Sequence, residues 1–121
     1  NPDNLACDPA GNLWIATDGQ PEAVGYNDGL YAVALEGARA DVPQLFFSAP
    51  AGSEVCGPSF TPDGTTLFLS VQHPGEGRGS AFDTPWHRWP ETGGNALPPR
   101  PAVLAITHED GGVIGAGLPS G

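Results

Sequence analysis

A chain of 121 residues with a formal charge of -10 and four basic residues in all lacks the clustered Lys and Arg that sequence-blind binding to a nucleic-acid backbone requires. No apolar run approaches the roughly 18 residues of a membrane-spanning helix. Its 18 Gly, 14 Pro and 15% charged residues suit many short strands joined by tight turns, rather than helices.

In chain order, residues 5–7 are the first expected strand. They lead into Asp8-Pro9-Ala10-Gly11, where Pro presets φ and Gly supplies a positive φ for a hairpin turn. Leu13-Trp14-Ile15-Ala16-Thr17 is the second strand, residues 29–35 the third and 44–48 the fourth. The pattern then restarts. Phe60-Thr61-Pro62-Asp63-Gly64-Thr65-Thr66-Leu67-Phe68-Leu69-Ser70 repeats the pattern of residues 7–17 about fifty residues on, close to the span of one four-stranded propeller blade. In this second unit residues 56–60 and 67–70 are the first two strands and 102–107 the third. His108-Glu109-Asp110-Gly111-Gly112 is the next turn, and residues 113–115 begin a fourth strand.

Residues 74–101 interrupt the second unit with a long, aperiodic, Gly- and Pro-rich segment, and loops of that length inside compact domains are either functional or disordered. Phe82, Trp86 and Trp89 favour packing across one face of the molecule. Elsewhere the apolar residues come in compact bursts bounded by turn residues, which argues against disorder. The expected architecture is all-β: a β-propeller fragment of about two four-stranded antiparallel blades, residues 1–52 and 53–121, the second carrying the insertion. The lack of Met, the opening Asn1-Pro2-Asp3 and the turn-like closing residues read as a piece of a longer chain that supplies the remaining blades as partners.

The innermost strand of each propeller blade lines the central channel, so polar residues entering it are candidates for a site. Asp3 precedes the first inner strand and Glu54 the second, which puts two carboxylates on one rim. Oxygen donors converging from several blades suit a hard cation such as Ca²⁺, or iron if further ligands join; the alternative for each is an ordinary turn or capping role. Asp18 follows the second strand, where a turn role competes. Asp8, Asp63 and Asp110 lie in hairpin turns, where Asp bonds its local backbone, and are rejected as ligands. His73 opens the insertion and could ligate metal, contact phosphate or pin the loop. Arg78, Arg88 and Arg100 are the cations near the insertion, and Arg100, rigid between Pro99 and Pro101, is suited to bidentate phosphate contact, with a salt bridge to the acidic surface as its alternative. Tyr26-Asn27-Asp28-Gly29 reads as a turn. Cys7 and Cys56 are too few for a disulfide framework, and no phosphate loop, zinc motif, nucleophile elbow or dinucleotide fingerprint occurs.

Taken in order, Pro2-Asp3-Asn4-Leu5-Ala6, Gly11-Asn12-Leu13-Trp14-Ile15-Ala16-Thr17-Asp18-Gly19, Glu54-Val55-Cys56-Gly57-Pro58-Ser59-Phe60-Thr61-Pro62-Asp63-Gly64, Gln72-His73-Pro74-Gly75-Glu76, Trp89-Pro90 and Pro99-Arg100-Pro101 resemble the C-terminal part of the PhoX family of secreted alkaline phosphatases. More distantly, Pro2-Asp3-Asn4 resembles the metal-binding segment of calcium-dependent lactonase propellers. The PhoX resemblance implies a six-bladed propeller, a secreted or periplasmic location, and hydrolysis of small phosphate monoesters at a Ca²⁺- and Fe³⁺-containing centre. It implies Asp3, Asp18 and Glu54 as metal ligands, with the remaining ligands, including any iron-binding Cys, upstream; His73 and Arg100 stay candidate substrate contacts on their residue chemistry alone. Cys56 stands where a small or hydroxyl residue is expected, and no ligand role is carried over to it. The alternatives are a non-catalytic propeller scaffold and a lactonase-like hydrolase. In none of these readings does the segment act alone.

Overall fold

Repeated turns set the course of the chain. The Gly11 N–H donates to the Asp8 carbonyl at 3.0 Å and the Gly64 N–H to the Thr61 carbonyl at 2.8 Å, with φ of 89° and 70° at the two glycines, a conformation that costs a residue with a Cβ. The first reverses β1 (Pro2–Cys7) into β2 (Leu13–Thr17), the second β5 (Glu54–Phe60) into β6 (Thr66–Gln72). This computed structural model describes residues 1–19, 25–92, 94 and 97–118. Among them the remaining strands are β3 (Gly29–Val33), β4 (Gln44–Ser48) and β7 (Ala102–Thr107), and there is no helix.

The strands form two antiparallel sheets, one ordered β1-β2-β3-β4 and the other β5-β6-β7. The fold is thus all-β with two blade-like sheets, as the repeat implies. Two details differ. The third strand stops at Val33, because the Asp41 N–H returns to the Ala34 carbonyl and turns the chain. The expected fourth strand at residues 113–115 does not form. The Ile114 N–H donates to the Gly64 carbonyl in the opposite turn, and the Ala116 and Leu118 N–H groups close short turns onto Val113 and Gly115, so no ladder can start beside β7.

The core lies between the sheets. Trp14 and Ala16 of β2 and Leu30 and Ala32 of β3 meet Val55 of β5 and Leu67, Leu69 and Val71 of β6, all essentially buried. Alternation along β2 and β6 puts these side chains on one face of each strand. Trp14 is the hub, edge-on to Phe46 at 4.9 Å between ring centroids and tilted against Phe60 at 5.1 Å. Its indole N–H, which burial would otherwise orphan, donates to Asp8 Oδ2 at 3.0 Å. From the insertion, Trp89 packs against this core, so the segment is anchored at that point.

Candidate metal centre

Two irregularities in otherwise regular ladders open the site. β1 slips register between Pro2 and Asn4, at Asp3, and β5 between Cys56 and Ser59, at Gly57-Pro58. Pro58 has no N–H to give a ladder, so the break falls where the sequence requires one. Asn4 joins the two breaks: its Oδ1 accepts the Gly57 N–H at 2.9 Å, while its Nδ2 donates to Asp3 Oδ2 at 2.8 Å. Donor atoms of Asp3, Glu54 and Cys56 consequently lie within 4.8 Å of one another, and so do those of Asp18, Glu54 and His73. Glu54 belongs to both groups.

Each ligand-type residue is held by its neighbours. Asp18 follows β2 in a turn fixed by Asp28, a buried carboxylate whose Oδ1 accepts from Thr17 Oγ1 at 2.6 Å and from the Gly19 N–H at 2.7 Å. Glu54 begins β5 directly after a turn that the insertion clasps. The Gly75 N–H donates to the Ala51 carbonyl at 2.9 Å and the Glu76 N–H to the Gly52 carbonyl at 3.2 Å. Gly52 is needed because a Cβ there would meet the Glu76 carbonyl oxygen at 2.1 Å. His87 accepts the Trp89 N–H on Nδ1 at 3.2 Å, which leaves Nε2–H to donate to the Ala51 carbonyl at 2.8 Å. His73 completes the clasp with Nδ1 3.2 Å from the Gly52 carbonyl and 2.9 Å from Glu76 Oε2, and Nε2 3.2 Å from Glu54 Oε2.

The electrostatics fit a cation. Partial desolvation and then the negative charges of Glu54, Asp28 and Asp3 push the Asp18 carboxyl above its usual range, against the opposing effect of His73. Glu54 moves the other way, held down by the Cys56 hydrogen bond, which together with His73 outweighs desolvation. Desolvation would lower His73, but its bonds to Glu54 and Gly52 raise it. The Cys56 thiol, desolvated and donating to Glu54, is pushed up to about 11, so by itself it stays protonated near neutrality. The three carboxylates supply hard oxygen donors suited to Ca²⁺, and the imidazole adds a nitrogen donor of the kind that suits iron.

Residues 1–75 match the family model described as alkaline phosphatase PhoX. The chain belongs to the PhoX family. It is also similar to the solved structure of Pseudomonas fluorescens PhoX in complex with vanadate, a transition state analogue, at 41% identity and a TM-score of 0.74. That match covers 95% of this chain and 19% of the Pseudomonas chain, so the present sequence spans about a fifth of that protein's length. No curated protein matches.

Within this PhoX segment the structure brings Asp3, Asp18, Glu54 and His73 into one region, whereas Asp8 and Asp63 bond their own hairpins through Asn12, Trp14, Thr61 and Thr65. Arg100 is ion-paired with Glu91, its N–H donates to the Trp89 carbonyl, and it does not line the cavity beside Asp18. Arg78 lines that cavity instead, and sequence reasoning did not single it out above the other arginines. Asp28, read as a turn residue, supports Asp18 through Thr17 and Gly19, a relation across eleven residues that no motif announces. Cys56 was passed over although Sγ joins the carboxylates; its position two residues after Glu54, on the same face of an extended strand, was the available signal.

Proposed function

We propose that this chain is the part of a secreted or periplasmic metal-dependent phosphomonoesterase that supplies Asp3, Asp18 and Glu54 as metal ligands, with other blades of the same protein providing the remaining ligands and the catalytic residues. The observation that carries the reading is the double use of Glu54: its carboxylate lies within 4.8 Å of Asp18 and His73 donors on one side and of Asp3 and Cys56 donors on the other. A carboxylate shared in this way suits a centre holding more than one cation. Family membership and the vanadate complex of the Pseudomonas protein support phosphoryl chemistry, and an acidic, lysine-free chain that repels anions elsewhere needs cations to receive a phosphate ester.

Bound Ca²⁺ and Fe³⁺ would neutralise phosphate charge and stabilise the charge that develops on its oxygens during transfer. The chain's own contribution is positional. Asn4 aims Asp3, the Asp28–Thr17 pair fixes the Asp18 turn, and the His73–Glu76 clasp sets the start of β5 and hence Glu54. His73, the imidazole nearest Glu54, is placed either to complete the donor set or to face the ester.

The test uses the full-length protein. Its metal content and turnover of a simple phosphomonoester should fall together on chelation and return together with Ca²⁺ and iron. Activity that survives complete removal of metal overturns the reading.

A further inference from the structure

Both carboxylate oxygens of Glu54 are in contact with side chains of this chain. Oε2 lies 3.2 Å from His73 Nε2, while Oε1 accepts from the Cys56 thiol. Glu54 and Cys56, two residues apart, project from one face of β5, and Gln72 stands directly opposite Glu54 on β6, so the three side chains share that face. Gln72 Nε2 donates to Cys56 Sγ at 2.7 Å. Because an amide nitrogen only donates, this bond uses sulfur as the acceptor and leaves its single S–H for Glu54. Cys56 is buried, which limits competition from water for either bond. Its pairing with Ser70 is the last before the register breaks at Gly57-Pro58, so the chain of bonds from Gln72 through Cys56 to Glu54 stands on the final regular stretch of ladder beside the site.

We propose that Cys56, oriented by Gln72, is a positioning residue for Glu54: its S–H holds Oε1 while His73 faces Oε2, which fixes the rotation of the carboxylate plane and leaves the remaining lone pairs of both oxygens for cations. The inference rests on the reading of Glu54 as a metal ligand and adds what aims it. The terminal torsion of a glutamate is soft, and an unheld carboxylate would give up that freedom only on binding metal; contacts on both oxygens remove it beforehand. A thiol is also a weaker donor than a hydroxyl, so it aligns the carboxylate while drawing off little of the negative charge that a cation needs. The role is distinct from ligation. A coordinating cysteine must give up its proton and present its lone pairs to the metal, whereas here the S–H is directed to Glu54 and Gln72 takes the acceptor side of the sulfur.

The experiment follows loss of Ca²⁺ from the metal-loaded full-length protein as a chelator is added. Cys56→Ala should release Ca²⁺ at roughly tenfold lower chelator than the parent, the scale of a lost partner behind a ligand. Cys56→Ser, which loses the volume of the sulfur as Ala does but keeps a donor, should retain most of the parent's hold. Gln72→Met removes the amide that orients the thiol, so it should weaken Ca²⁺ retention in the same direction and add little when combined with Cys56→Ala, because both act through one bond to Glu54. Parent-like retention in Cys56→Ala overturns the proposal. Equal losses in Cys56→Ala and Cys56→Ser also overturn it, since they would assign Cys56 to packing or to ligation through sulfur. Glu54→Gln serves as the reference and should release Ca²⁺ at least as readily as Cys56→Ala. Full retention in Glu54→Gln refutes instead the ligand reading of Glu54, and the positioning role falls with it.

Discussion

Carboxylates of similar sequence context have opposite uses in this chain, and the difference is decided by what bonds them. Asp63 accepts from the Thr61 and Thr65 hydroxyls and the Thr65 N–H, so its charge is satisfied locally. Asp3 accepts from the Asn4 side-chain amide and lies near two further acidic or sulfur donors. In the full-length protein Asp3→Ala should therefore lower metal content and remove most phosphatase activity, whereas Asp63→Ala should keep both and lose only a little stability; metal analysis and turnover of a generic phosphomonoester check the pair. Equal inactivity of both variants would contradict the division of roles. Asp8 belongs to stability as well, but more strongly. Burial would raise its carboxyl, yet the bonds from Asn12 and the buried Trp14 indole outweigh burial and hold it below the usual value. A depressed folded pKa means stabilisation that is fully present above the unfolded value of about 3.9 and is lost as pH falls through the lower folded one. Asp8→Ala should cost about 2 kcal/mol near neutrality, because the Trp14 N–H is left unpaired. The difference from the parent in denaturant unfolding should shrink below about pH 4.

The elements were legible where a local rule determines them and obscure where a distant partner does. Pro-Ala-Gly and Pro-Asp-Gly turns fix β1–β2 and β5–β6 respectively, and the repeated motif therefore located two blade openings from sequence alone. The missing fourth strand of the second sheet was not legible, since Val113-Ile114-Gly115 is a plausible strand by composition and what ends it is the Gly64 carbonyl, far away in the chain, capturing the Ile114 N–H. The same limit applies to the site. Asp3 and Glu54 stand at nearly the same place in the repeat, which sequence can show; the Asn4–Gly57 bond that brings their strands into line, and the grip of residues 73–87 on Ala51 and Gly52, are tertiary. That grip yields a prediction about β5. Gly52→Ala would drive a Cβ into the Glu76 backbone at 2.1 Å, so the clasp must open and the start of β5 must shift. Metal affinity of the full-length variant, followed by titration calorimetry, should fall about tenfold or more, as for other losses of support behind a ligand, with the Trp14 core fluorescence little changed. Unaltered affinity would mean that the clasp does not position Glu54.

At the scale of the molecule, a core between two sheets leaves their outer surfaces uncovered. Leu5 is 64% exposed on β1, Val103 71% on β7, and Leu45 and Phe68 are also open to solvent on β4 and β6. Single apolar residues on a surface need no explanation, but these lie on strands whose other faces are already packed, in the pattern of blades that expect neighbours. β7 adds an edge: among the described residues it pairs with β6 and has no strand on its other side, so its free N–H and C=O groups can template pairing with another chain. The chain spans about a fifth of the Pseudomonas PhoX chain, and in the proposed reading other blades of the same protein cover these surfaces. The net charge of -10 opposes self-association by long-range repulsion, but at physiological ionic strength screening acts over about 8 Å and leaves contact between apolar faces unopposed. Expressed alone, residues 1–121 should therefore associate or populate a partly ordered state that binds a hydrophobic dye, more so as salt is raised. Sedimentation across a concentration series together with calorimetry checks this. A sharp two-state thermal transition from a verified monomer would mean that the two sheets are self-sufficient, and that the exposed strand faces are not blade interfaces.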